Sequence, residues 1–238
     1  LKLRFIIINL FWLHSFFVWS QNKAFHHDWK QLIEFYVCSE SKEIEANYFL
    51  YETHTSKTVN STTHSLIKSK GDQIHQEIEG MISIVNPEYM IYIDEEEKLI
   101  LLDRTPKNLF NFIQMLQIDT SAFPKANIVL LKQSTTTKSY RLSFDNGIYE
   151  KIEINFHPST YHLQKLIIFY ATSEALDVEK PDHLTKPRME IHYKAFRKVQ
   201  LPFYTVDNNP FAIFDGNSIN AKKAYQKYQC VDNRVKFK

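Results

Sequence analysis

Glycine is scarce in this chain: there are four in 238 residues. So few glycines, none in a phosphate-loop or nucleophile-elbow pattern, leave no glycine-rich phosphate cradle and no glycine-framed serine nucleophile. Cysteine is scarcer, with two, and paired cysteines at zinc spacing are absent. An excess of one charge is missing too, since 29 Lys and Arg face 27 Asp and Glu. That balance argues against a nucleic-acid partner and against strong electrostatic attachment to an anionic membrane. No apolar run reaches the about 20 residues that a membrane-spanning helix needs.

The longest uncharged run does carry a signal. Lys2 and Arg4 precede Phe5 to Trp19, which is built almost wholly of Phe, Ile, Leu, Trp and Val and is closed by Ser20. Charge followed by an apolar stretch of roughly 15 residues and a small residue is the order of a secretory signal peptide. The expectation is cleavage between Ser20 and Gln21, leaving an exported chain that is soluble and has no transmembrane anchor; the alternative is a buried N-terminal helix. Removing residues 1–20 takes away two cations and no acids, so the mature chain is balanced at 27 against 27. Cys38 and Cys230 both survive cleavage. In an oxidising compartment they are a candidate disulfide, closing a loop worth roughly 4 to 5 kcal/mol on the chain-entropy model, or else two small buried side chains.

Hydrophobic periodicity sets the fold class. Phe25, Trp29, Leu32, Ile33, Tyr36 and Val37 recur at helical spacing and predict an amphipathic helix from Phe25 to roughly Glu40. From Ile44 onward the pattern becomes short runs rich in β-branched and aromatic residues. These predict strands near Ile44 to Thr55, Thr62 to Ser69, Gln73 to Glu79, Ile82 to Val85, Tyr89 to Asp94 and Lys98 to Asp103. Short connectors make them antiparallel neighbours. Asn146-Gly147 predicts a tight hairpin turn between Ser139 to Phe144 and Ile148 to Phe156, and further strands follow at Leu163 to Tyr170 and Arg188 to Phe196. One helix opens at Pro106 after Thr105, with Leu109, Phe112, Ile113 and Leu116 on its apolar face. Glu174 to Pro187 reads as an exposed loop. The resulting organisation is a signal peptide over 1–20, a sheet domain over 21–199 and an irregular C-terminal extension over 200–238.

Chemistry-bearing clusters are few. His26-His27-Asp28 is the densest histidine cluster, but adjacent helical residues point about 100° apart and do not share one ion without further ligands. His64 and His75 fall on neighbouring predicted strands with no third ligand, which favours polar cross-strand pairing. Asp94-Glu95-Glu96-Glu97 joins two apolar runs and reads as a solvated turn, lacking the spaced oxygens and glycine of a calcium loop. Asn60-Ser61-Thr62 fits the glycosylation pattern. Nothing here implies a cofactor, a metal or catalysis; a hydrolase with dispersed groups ranks last among the readings.

The order of signal segment, amphipathic helix, long glycine-poor strands and a helix near residue 106 resembles a known family. So do the runs Tyr140-Arg141-Leu142-Ser143-Phe144, Asn146-Gly147, Ile152-Glu153-Ile154-Asn155-Phe156 and Gln164 to Tyr170. The resemblance, over roughly Phe25 to Val199, is to LolA-like periplasmic outer-membrane lipoprotein carriers in their divergent, Bacteroidetes-type form. It implies an α+β, mainly β fold of the LolA/LolB kind: a strongly curved antiparallel sheet, or half-barrel, covered by a few helices. It also implies a periplasmic location and an apolar cavity that takes the acyl chains of lipoproteins.

Alternation alone nominates the residues lining such a cavity: Ile74, Ile78, Leu101, Leu142, Ile154, Phe169 and Ile191 on strands, with Phe112 and Met115 on the Pro106 helix. The expected partner is lipid or an acylated lipoprotein. The rival reading is a structural or interaction component of the cell envelope, docking envelope proteins through the extension, whose Phe203, Tyr204, Phe211, Phe214, Tyr225 and Tyr228 stand among polar residues.

Overall fold

A computed structural model describes residues 22–36, 41–105, 123, 125–176, 182–198, 204–215 and 218–234. The chain is mainly β, and among the described residues there is one α-helix, α1 (residues 22–36). The strands are β1 (Lys42–Tyr51), β2 (Ser61–Lys70), β3 (Gln73–Ile78), β4 (Met81–Val85), β5 (Tyr89–Asp94), β6 (Leu99–Arg104), β7 (Asn127–Gln133), β8 (Lys138–Ser143), β9 (Tyr149–Phe156), β10 (Leu163–Tyr170), β11 (Glu174–Ala175), β12 (Leu184–Thr185), β13 (Arg188–Lys198), β14 (Ala212–Asp215), β15 (Ser218–Ala221) and β16 (Gln229–Asp232). Twelve of them form one open antiparallel sheet in the order β16-β6-β5-β4-β3-β2-β1-β13-β10-β9-β8-β7, with β16 added parallel to β6. No helix among the described residues is long and apolar enough to cross a membrane.

The chain divides into two compact units. The first comprises Leu1–Tyr36, Phe49–Ser61 and Asp119–His192; the second comprises Val37–Tyr48, Thr62–Ile118 and Tyr193–Lys238.

In the first unit, β7 to β10 form a meander. Registered partners on antiparallel strands face the same way, so Tyr140, Ile154, Leu166 and Ile191 make one transverse row, and Leu142, Ile152 and Ile168 make the next. Both rows are buried. Helix α1 packs on this sheet at the first row: Phe25, Leu32 and Tyr36 recur at helical spacing and are buried, and Phe25 packs edge-on against Tyr140 at 5.2 Å. Three polar contacts fix this docking. Asp28 accepts from the Tyr140 hydroxyl at 2.6 Å and lies 2.5 Å from Lys138 Nζ; the Leu163 N–H donates to the Tyr36 hydroxyl at 2.9 Å. Burial, and then the hydrogen bond and charge of Asp28, push the Tyr140 hydroxyl far above the ordinary phenol range, keeping it a donor.

The connection between β8 and β9 departs from the expected two-residue turn. Strand pairing stops at Ser143 and Lys151, the Phe144 N–H donates to the Glu150 carbonyl, and Gly147 alone takes a positive φ, +119°, within a loop over residues 144–148. Two-residue connections do occur at the reversals that the other glycines mark, Gly71-Asp72 between the paired Lys70 and Gln73, and Glu79-Gly80. In the second of these both residues have positive φ (45° and 80°), as a primed two-residue turn between Ile78 and Met81 demands.

In the second unit, β2 to β6 form the meander that the sequence predicts, each strand within about three residues of its expected ends. The C-terminal segment is not irregular over its described residues. It contains the β14–β15 hairpin, a 3-10 turn over Lys223–Tyr225 and strand β16, and it packs on the meander.

Candidate functional site

The site is best built from the register of β2 to β6. On one face, which the C-terminal segment covers, stand Ile84, Ile91, Ile93, Ile100 and Leu102, all 0% exposed. Val206, Phe211, Ala212 and Ile219 complete that core, and Tyr204, Phe214, Tyr225 and Tyr228 pack against it. His75 belongs to this face, since it pairs with Lys68 on β2 and Ile84 on β4. It is buried, its ring stacks on Tyr204 at 5.4 Å, and neither ring nitrogen has an aligned hydrogen bond, although Glu77 Oε1 lies 3.0 Å from Nε2. Burial holds its pKa below the ordinary imidazole value; the Lys68 charge acts in the same sense and Glu77 opposes it.

The opposite face of the same strands is also apolar. Three transverse rows cross it: Ser69, Ile74, Val85, Met90 and Asp103; Ile67, Gln76, Ser83, Tyr92 and Leu101; and Ser65, Ile78, Met81, Asp94 and Leu99. Burial falls across the rows. Ser65, Ile67 and Ile74 are buried; Ile78, Val85, Met90, Tyr92, Leu99 and Leu101 are half-buried; Met81 is 37% exposed. An antiparallel sheet commonly packs one face and leaves the other to solvent, so a second apolar face on β3 to β6 is a candidate contact surface. Two of its side chains are methionines, flexible and polarisable enough to adapt to an irregular apolar occupant.

Of the residues nominated from sequence, Ile74, Ile78 and Leu101 therefore come together on this face. Leu142, Ile154 and Ile191 also share a face, but it lies in the first unit under α1, and all three are essentially inaccessible. Phe169 is on the reverse side of that sheet. It pairs with Lys151 and Arg188, its ring lies 4.1 Å from Lys151 Nζ, and His54 packs edge-on against it at 5.3 Å. Phe112 and Met115 lie outside the described residues, as do residues 1–20 and Cys38. Cys230 is a free, half-buried thiol on β16, and burial raises its pKa.

Several residues of the face were missed from sequence: Met81, Met90, Leu99, Gln76, Ser83 and Tyr92. The available signal was the run of apolar residues at successive positions, Met90-Ile91-Tyr92-Ile93 and Leu99 to Leu102, which means burial or contact on both sides of a strand. The polar clusters take the bland roles. Asp94 Oδ1 accepts from the N–H groups of Glu96 and Glu97 at 2.9 Å each and shapes the acidic turn, and His64 pairs with Asn47 at 2.9 Å. Asp28 turns inward while His26 and His27 stay exposed. Among the described residues no group of three His, Cys, Asp or Glu is placed to hold a metal.

No protein-family model matches the sequence, and no curated protein does. Solved structures are similar at low identity. An uncharacterized conserved protein from Thermus thermophilus is 7% identical with a TM-score of 0.45, over 75% of this chain and 93% of that one. The LolA superfamily protein NE2245 from Nitrosomonas europaea is 10% identical with a TM-score of 0.32, over 73% of this chain and 94% of that one. A chain of the Pseudomonas aeruginosa MucA/MucB complex is 9% identical with a TM-score of 0.38, over 74% of this chain and 58% of that one. The structures to which this chain is similar thus include a member of the LolA superfamily.

Proposed function

We propose that this protein is an exported, periplasmic binding protein or carrier for an apolar ligand, the acyl chains of a lipoprotein or lipid, held without chemistry on the far face of β3 to β6. The observation that carries the reading is the pair of apolar faces on one four-stranded meander: the C-terminal segment seals one with a buried core, and the other keeps Ile78, Met81, Met90, Leu99 and Leu101 partly accessible. Covering apolar surface stabilises a complex by roughly 25 cal/mol per Å², so an acyl chain laid along these rows gains affinity from burial alone. The signal-like order of residues 1–20 supports export. The rival reading, docking of envelope proteins through the C-terminal aromatics, loses its motive for Tyr204, Phe211, Phe214, Tyr225 and Tyr228, because these pack within the second unit.

The test is lipid extraction and native mass spectrometry of protein purified from an envelope fraction, followed by titration with a fluorescent acyl probe. Wild type is expected to carry or bind one acylated ligand, and Leu101→Lys to weaken probe binding at least about tenfold while leaving the unfolding midpoint close to wild type, as befits a charge placed on a half-accessible site. A wild-type protein that carries no lipid and binds no acyl probe overturns the proposal.

A further inference from the structure

The far face is not uniformly apolar, and its polar residues fall in one place. Its central row runs Ile67, Gln76, Ser83, Tyr92, Leu101 in register from β2 to β6, so three uncharged hydrogen-bonding side chains stand on three successive strands, at Cβ spacings of about 4.5–5.5 Å. The rows on either side are apolar on β3 and β4, with Ile74 and Val85 on one and Ile78 and Met81 on the other; on β5 the first carries Met90 and the second Asp94. All three polar side chains are half-buried. Among the described residues neither Gln76 nor Ser83 spends its side chain on a hydrogen bond, and the Tyr92 hydroxyl donates only to the Met81 sulfur, a weak acceptor. Half-exposed groups of this kind are paired by water, and a ligand that displaces that water has to replace its hydrogen bonds or lose affinity.

Together the three offer a carboxamide N–H₂, two hydroxyls and a carboxamide oxygen. Charge is kept out of the middle of the row. Asp94 and Asp103 sit at its borders, in the flanking rows, and no cation stands in the three rows on β3 to β6. A carboxylate or phosphate would find no counter-charge there and two acids nearby. A neutral carbonyl fits: its oxygen accepts from Gln76, Ser83 or Tyr92 while the hydrocarbon on either side lies over the flanking rows.

We infer that the Gln76-Ser83-Tyr92 row recognises the uncharged ester or amide linkage of an acylated ligand, so that the face selects linked acyl chains over free fatty acids and over ether-linked alkyl chains. The inference rests on the binding reading above and goes beyond it by naming the group that is read.

The experiment titrates the full chain with three probes of equal chain length: a monoacylglycerol ester, the matching monoalkyl glycerol ether, and the free fatty acid. Wild type is expected to bind the ester at least about tenfold more tightly than either of the others, one good hydrogen bond in a desolvated site being enough. Gln76→Leu, Ser83→Ala and Tyr92→Phe, singly and all three combined, should bring the ester-to-ether ratio toward one by weakening the ester while leaving the ether unchanged. Equal affinity of wild type for ester and ether overturns this inference and leaves the binding reading standing. A preference for the ester that survives the combined substitution overturns the assignment to this row. Failure to bind any of the three overturns both. The comparison among probes uses unmodified protein, so it is decisive even where a variant fails to fold.

Discussion

At the scale of the residue, two buried ionisable groups, Glu190 of the first unit and His75 of the second, behave in opposite ways. Glu190 is held by several partners. Burial alone would raise the pKa of Glu190, yet hydrogen bonds from Lys165 and His192 and the charges of Lys165 and Arg188 outweigh it and hold the carboxylate below its ordinary range. In the second unit His75 is buried against Tyr204 with its imidazole held neutral. Linkage then fixes a sign. The folded state resists protonation of His75 and the unfolded chain takes up the proton near its ordinary value of about 6.5, so this residue's contribution is intact above that pH and is lost as pH falls below it. Lys68 and Tyr204 offer the new charge no relief, and Glu77 offers partial relief. Urea unfolding of wild type and His75→Leu, compared from pH 7.5 to 5, should show wild type losing stability faster than the variant. Parallel curves would mean that His75 is accessible to protons in the folded state.

At the scale of the element, legibility followed burial pattern. Strands with a clean alternation or a continuous apolar run, Tyr89–Asp94 and Leu163–Tyr170 among them, were readable to the residue, because side-chain period and turn chemistry are local properties. Two kinds of element were not. Strand β7 alternates weakly: Val129 and Leu131 are about 40% exposed and only Ile128 is buried, so its place in the sheet comes from pairing with β8 rather than from its own pattern. The C-terminal strands are four residues each, the first follows Pro210 and ends at Asp215, and they are held in place by docking on Ile84, Ile91, Ile93, Ile100 and Leu102. Aromatics scattered among polar residues read as a docking tail when the surface they cover is elsewhere in the chain. The candidate face was half legible for a related reason: alternation placed Ile74 and Ile78 together, but Leu99 to Leu102 is apolar at every position and conceals which side Leu101 takes. Phe211 tests the docking, being 3% exposed and packed edge-on against Tyr225 at 4.9 Å. Phe211→Ala should destabilise by about 3–5 kcal/mol, whereas Ile213→Ala, one strand position away from Ala212 and 55% exposed, should stay within about 0.5 kcal/mol. Chemical denaturation of both variants checks the contrast; equal losses would mean that the segment is not a fixed part of the core.

At the scale of the whole molecule, the two units stand differently toward a ligand. The first packs its own helix on its apolar sheet face, through Phe25, Leu32, Tyr36 and the Asp28 contacts, and its nominated residues Leu142, Ile154 and Ile191 are already saturated with protein. The second closes one face and leaves the other partly accessible. A ligand that binds only the native state stabilises it by mass action, about 2.7 kcal/mol at a free concentration one hundred times Kd, and backbone amides near the contact gain protection from exchange. The asymmetry therefore predicts where protection falls. Hydrogen exchange read by mass spectrometry, with and without a saturating acyl ester, should slow in β3 to β6 and change little in β8 to β10. Protection concentrated on β8 to β10 would place the ligand beneath α1, requiring that helix to lift, and would move the site from the face with Ile78 and Leu101 to the one with Leu142 and Ile154.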